Sequence, residues 1–111
     1  MSSPTEELAA LQRLYPAAYG GKEGALDVAY LPGLLVGRAG QKSPVLALLY
    51  PHLESGYPTR LYLDRQVATT EPKNWQTRVI SGETWWSISW MGVPNSLPWT
   101  EILANHLKGL Q

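Results

Sequence analysis

The chain has no cysteine among its 111 residues. It can therefore form no disulfide, no thiolate nucleophile and no zinc site with sulfur ligands. Phenylalanine is also absent, whereas five tryptophans and six tyrosines are present, so every aromatic ring carries a polar atom. Such rings suit half-buried positions and binding interfaces, because one part of the ring is apolar and another forms hydrogen bonds.

Charge is scarce as well, at 16% of the residues, and nine Lys and Arg balance nine Asp and Glu. Without a basic run the chain has no surface that would follow a phosphate backbone, so we expect no nucleic-acid partner. No apolar run is long enough to span a membrane, and residues 1–7 lack the pattern of a secretory signal. We therefore expect one soluble, cytoplasmic domain over residues 1–111 that does not bind a membrane.

The two ends of the chain carry helix patterns. Ser3, Pro4 and Glu6 are typical of a helix start with a capping box, and apolar residues then recur at helical spacing, which predicts a helix over residues 4–15. A second helix is predicted to begin at Pro98. Its apolar stripe consists of Trp99, Ile102, Leu103, His106, Leu107 and Leu110.

The middle of the chain is typical of strands. Alternating or short apolar runs at 25–30, 34–36, 44–50 and 60–64 predict four strands, with a turn at Pro32 and Gly33 between the first two. Residues 69–90 predict an irregular, tryptophan-rich excursion or a second hairpin. The order favours an α+β fold: an N-terminal helix, a four-stranded antiparallel sheet, the excursion and a C-terminal helix, with both helices on one sheet face.

Three segments carry a family resemblance. The run from Glu6 to Pro16 is rich in Glu and Leu and ends in Tyr-Pro, and Tyr57-Pro58 precedes the last predicted strand. These features resemble the RWD domain and the wider ubiquitin-conjugating-enzyme-like fold, which open with such a helix and carry a Tyr-Pro turn between the third and fourth strands. Residues 97–103 are also similar to the tryptophan, proline and helix that follow the active site of conjugating enzymes.

The resemblance also implies which activity is missing. The catalytic cysteine of the family would fall within residues 91–96, which contain none. The resemblance therefore implies a member of the fold that forms no thioester and binds other proteins without catalysis, as the RWD branch does. It implies no cofactor.

Candidate binding residues come from the strand pattern. In residues 84–90 a two-residue period places Trp86, Ile88 and Trp90 on one face, which we expect to be core, and Trp85 on the other face among serines. We therefore expect Trp85 to leave the core. Together with Tyr62, on the polar face of its own strand, Trp85 is predicted to contact a partner.

The predicted function is a non-catalytic protein-interaction module of the RWD or inactive conjugating-enzyme type. Its partner would be a protein, and a homodimer formed through the outer face of the sheet is one form of this hypothesis. An alternative is a small-ligand or carbohydrate-binding domain in which Trp85 and Tyr62 form a stacking platform. A third hypothesis is an enzyme with acid–base residues that the pattern does not reveal. The only histidines, His52 and His106, are too far apart in sequence to suggest a metal site.

Overall fold

A computed structural model describes residues 2–111, in which both predicted helices are present. Helix α1 spans Pro4–Leu14, and the Ser3 hydroxyl accepts a hydrogen bond from the Glu6 backbone N–H at 3.2 Å while the Glu6 carboxylate accepts from the Ser3 N–H. Helix α2 spans Trp99–Gly109 and follows Pro98. Neither helix is long and apolar enough to cross a membrane.

The sheet has six strands, so the predicted count of four is wrong although the α+β class is right. All neighbouring strands are antiparallel, in the spatial order β1-β2-β3-β4-β6-β5. The bounds are β1 Tyr19–Glu23, β2 Leu26–Val36, β3 Ser43–Tyr50, β4 Arg60–Leu63, β5 Trp75–Ile80 and β6 Glu83–Ile88.

The first two predicted strands are one strand. Pro32 and Gly33 do not make a hairpin turn; they lie inside β2, where the register against β3 shifts between Leu31 and Leu34. Gly33 has a φ of 69°, which a glycine adopts without strain. The Pro-Gly dipeptide, which is typical of a turn, therefore forms a β-bulge here, and the strand continues beyond it.

The sequence prediction missed strand β1 and left residues 69–90 open between an irregular excursion and a second hairpin. Strand β1 contains Gly20 and Gly21, which have low strand propensity. A Cβ at Gly21 would lie 2.6 Å from the Tyr30 ring, so the close packing of that ring requires glycine. Strands β5 and β6 form a regular hairpin in place of the irregular excursion. Its two turn residues, Ser81 and Gly82, have φ values of 52° and 81°, as in the type I′ turn that matches strand twist.

Each face of the sheet carries a cluster of buried residues. The helix-side core combines helical residues such as Leu11, Ile102 and Leu103 with one face of the strands. The opposite face carries a second buried cluster that contains no helical residue, and it is called the helix-free face below. The residues of this second cluster are Val28, Leu48, Tyr50, Tyr62, Ile80 and Trp85.

Candidate functional site on the helix-free face

The two predicted contact residues lie on the same face but are buried. Trp85 is 6% exposed and Tyr62 is 1% exposed. The Trp85 ring lies 6.2 Å from the Tyr30 ring, and Tyr62 packs edge-on against Tyr50 at 6.1 Å, measured between ring centroids. The expectation that Trp85 leaves the core is therefore wrong, and neither ring presents an open face on which a ligand could stack.

The serines beside Trp85 explain why the pattern misled. Ser87 lies on the same face of β6 and is 3% exposed, although a serine in alternation with tryptophan is typical of a solvent-facing strand. Its hydroxyl accepts a hydrogen bond of 2.8 Å from Nη1 of Arg60. A polar strand face can be buried where a long polar side chain from a neighbouring strand satisfies it.

Arg60 is the central residue of this face. It begins β4, is 5% exposed, and donates from Nη2 to Oε1 of Gln76 at 2.8 Å in addition to its bond to Ser87. The guanidinium also lies 3.8 Å from the centroid of the Tyr57 ring, which is a cation–π distance. The Arg60 side chain thus connects β4 with both strands of the β5–β6 hairpin.

Glu54, in the loop between β3 and β4, supplies the negative charge. Its Oε2 lies 3.2 Å from Nε of Arg60, and its Oε1 lies 3.6 Å from Nη1 of Arg78. The Arg60 N–H is poorly aligned with the carboxylate and the Arg78 contact is too long for a hydrogen bond, so both contacts are charge pairs. The Tyr62 hydroxyl does donate to Oε2, at 2.7 Å.

The charge states follow from these contacts. Burial acts to raise the pKa of Glu54, but the hydrogen bonds from Tyr62 and Ser55 and the charges of Arg60 and Arg78 outweigh it, and the pKa is lowered. Burial, with the Glu54 carboxylate beside it, raises the pKa of Tyr62 to about 12. At neutral pH the carboxylate is therefore ionised and the tyrosine is a hydrogen-bond donor.

These side chains line an open cavity of about 380 Å³. It is called the arginine cavity, and its lining includes Glu54, Tyr57, Arg60, Tyr62, Gln76 and Arg78. Of the predicted site residues, Tyr62 lines it and Trp85 does not. Sequence reasoning missed Arg60 and Arg78, and the one available signal was the alternation of Arg60 with Leu61 and Leu63 on a short strand.

The histidines lie apart from this cavity. His106 is 4% exposed, and its Nε2 lies 2.8 Å from the Thr59 hydroxyl, which donates to the Val93 carbonyl. The Thr59 hydroxyl has only one hydrogen, and it donates that hydrogen to Val93. We therefore assign a proton to Nε2 of His106, which donates it to the Thr59 oxygen. Burial first, and then the charge of Arg60, lower the pKa of His106 to about 4. His52 contacts the Asp27 carbonyl oxygen at 2.6 Å.

Within residues 2–111, no group of three or more His, Asp or Glu side chains is placed to hold a metal ion. No protein-family model, curated protein or solved structure matches this chain. The function must therefore be inferred from the geometry of its own residues.

The burial of Trp85 reverses the expected effect of removing it. Trp85→Ala should destabilise the fold by about 3–5 kcal/mol, since truncation of a buried tryptophan leaves a cavity. The control is Val79→Ala in the same hairpin, whose side chain is 68% exposed and whose substitution should cost less than about 0.5 kcal/mol. Equal thermal unfolding of the two variants would show that Trp85 is not a core residue.

The low pKa of His106 predicts a dependence of stability on pH. Because its folded pKa of about 4 lies below the ordinary value of 6.5, the unfolded chain takes up the proton first, and stability is lost as the pH falls below 6.5. The loss should reach about 2 kcal/mol at pH 5. Urea unfolding of the parent chain at pH 7.5 and pH 5 measures it.

The matched variant is His106→Gln, whose amide can still donate to Thr59 but does not titrate. It retains His52 and every carboxylate, so any loss of stability common to both proteins has another origin. A loss as large in the variant as in the parent chain would rule out His106 as the source.

Proposed function

We propose that this chain is a non-catalytic protein-interaction module of the RWD or inactive ubiquitin-conjugating-enzyme-like type. The proposal is supported by the order of the elements, since α1 is followed by four consecutive antiparallel strands, β1 to β4. Tyr57 and Pro58 lie between β3 and β4, where that family carries its Tyr-Pro turn. Residues 91–96, where its cysteine would fall, connect β6 to α2.

The observation that carries the proposal is an apolar groove of about 420 Å³ between the end of α1 and the bulged half of β2. It is called the leucine groove. Leu14 and Leu35 line it and are 63% and 59% exposed, and Leu107 of α2 is also part of its wall. Large aliphatic side chains exposed beside a groove are typical of protein-binding surfaces.

The groove also borders a free strand edge. Strand β1 pairs with β2 only from Leu26 to Tyr30, although β2 continues to Val36. Within the part of the chain that the structure describes, no strand pairs with this second half of β2 on the side of β1. Backbone groups along a free edge can form a ladder with an added strand.

These features favour one kind of occupant: an extended, apolar segment of a partner protein. Such a segment can form backbone hydrogen bonds with the edge of β2 and place alternate side chains in the leucine groove. Lys42 also lines the groove and favours an acidic residue in the segment. The stacking platform of Trp85 and Tyr62 is not favoured as an alternative, because both rings are buried.

A displayed library of random peptides tests this function. Selection on the immobilised chain should enrich apolar, extended peptides, and Leu35→Asp should weaken their affinity by about thirtyfold, as for a binding hot spot. The control variant is Val79→Asp, which introduces the same charge at an equally exposed strand residue of β5, 68% exposed. Affinities are measured by fluorescence anisotropy.

Two results would contradict the proposal. Peptides that bind the parent chain and Leu35→Asp equally would show that the groove is not their site. A dimer in sedimentation that Leu35→Asp dissociates would assign the groove to a second copy of the chain instead of a partner segment.

A further inference from the structure

The arginine cavity contains more positive than negative charge. Arg60 and Arg78 face a single carboxylate, that of Glu54, and no other acidic side chain lines the cavity among residues 2–111. Glu54 is already engaged, since its oxygens accept hydrogen bonds from Tyr62 and Ser55. One positive charge in the cavity is therefore not balanced by the side chains that line it.

The two arginines are not equally available to a ligand. Nε of Arg60 and Nη1 of Arg78 are inaccessible to solvent and lie against the Glu54 carboxylate, at 3.2 Å and 3.6 Å. The Arg78 side chain as a whole is 33% exposed and lines the open cavity. The Arg60 side chain is fixed, because its terminal nitrogens are bonded to Ser87 and Gln76 and its exposure is 5%. A partly exposed guanidinium beside a second one that is fixed is well suited to bind an anion.

The balance of charge selects the kind of anion. A singly charged group would neutralise the cavity, whereas a phosphate dianion would leave it negative and would lie close to the Glu54 carboxylate. A planar carboxylate also matches the fork of a guanidinium. We propose that the arginine cavity is a binding site for a carboxylate, held by Arg78 with Arg60 behind it.

The carboxylate can belong to a free small acid or to a protein chain, as an acidic side chain or a chain terminus. The site lies on the helix-free face and its lining shares no residue with the leucine groove, so the inference does not depend on the proposed function. The two sources are distinguished by the choice of probe.

The test is an NMR titration of the ¹⁵N-labelled chain with sodium acetate, against sodium chloride at the same ionic strength. The side-chain signals of Arg60 and Arg78 should move as acetate is added, and the shifts should reach a plateau at high acetate concentration. Arg78→Gln should weaken acetate binding by about tenfold or more, because it removes a charge-assisted hydrogen bond. The matched control is Arg65→Gln, which removes the same charge from a side chain that is 61% exposed and lies outside the cavity lining.

A second variant keeps the test decisive if Arg78→Gln disturbs the fold. Glu54→Gln removes the one negative charge of the cavity, so acetate should bind more tightly to it than to the parent chain. Absence of saturable acetate shifts, equal affinities in Arg78→Gln and Arg65→Gln, or weaker binding in Glu54→Gln would each overturn the proposal. Tighter binding of inorganic phosphate than of acetate would overturn the assignment to a carboxylate.

Two further probes distinguish the sources. A short peptide with a free C-terminal carboxylate, or with an internal glutamate, should bind at least as tightly as acetate if the ligand belongs to a protein. If only small free acids bind, the site is for a metabolite-sized ligand. Acetate should bind Leu35→Asp as it binds the parent chain, so failure of the leucine groove and failure of this site are separate results.

Discussion

The buried guanidinium of Arg60 links the two parts of the sheet by hydrogen bonds. Strands β4 and β6 share only one paired position, Leu63 with Trp86, so their backbones contribute little to joining the β5–β6 hairpin to the rest. The hydrogen bonds from Arg60 to Ser87 and Gln76 span that junction. A buried charge is tolerated only where hydrogen-bond acceptors or an opposite charge surround it. The burial of Arg60 therefore requires polar or negatively charged side chains next to it.

Three of the six tyrosines belong to the same charged network. Tyr57 stacks on the Arg60 guanidinium, Tyr62 donates to Glu54, and the Tyr50 ring lies 5.4 Å from Arg78. A phenylalanine at Tyr62 would leave the Glu54 oxygen without this donor. The helix-free face therefore combines apolar packing with a charged network, and the arginine cavity is the open part of that network.

The helices could be predicted from sequence because their signals are local. The Ser3 and Glu6 pair lies three residues apart, and the apolar stripe of α2 is contained in one segment. The helix-free face depends on contacts between distant residues, since Gln76 and Ser87 lie 16 and 27 positions from Arg60. An arginine and serines in alternating strands are typical of solvent-facing positions, and only the tertiary structure shows that they satisfy each other.

The strand errors have similar causes. Pro32-Gly33 is compatible with a turn or a bulge, and the pairing with β3 makes it a bulge. Gly20-Gly21 has low strand propensity, and its place in β1 depends on the Tyr30 ring that packs over Gly21. The Ser81-Gly82 turn is a local signal, because a two-residue loop ending in glycine between apolar strands is typical of a hairpin, and it is the reason that a second hairpin could be expected over residues 69–90.

Hydrogen–deuterium exchange of Arg60→Met, compared with the parent chain and with Arg65→Met, tests most directly whether Arg60 holds the hairpin to the sheet. The amides of β5 and β6 should exchange about tenfold faster or more in Arg60→Met, while those of β2 and β3 keep their protection. Arg65→Met should leave both sets unchanged, since that arginine is 61% exposed. Unchanged exchange in β5 and β6, or equal acceleration in all strands, would contradict this role of Arg60.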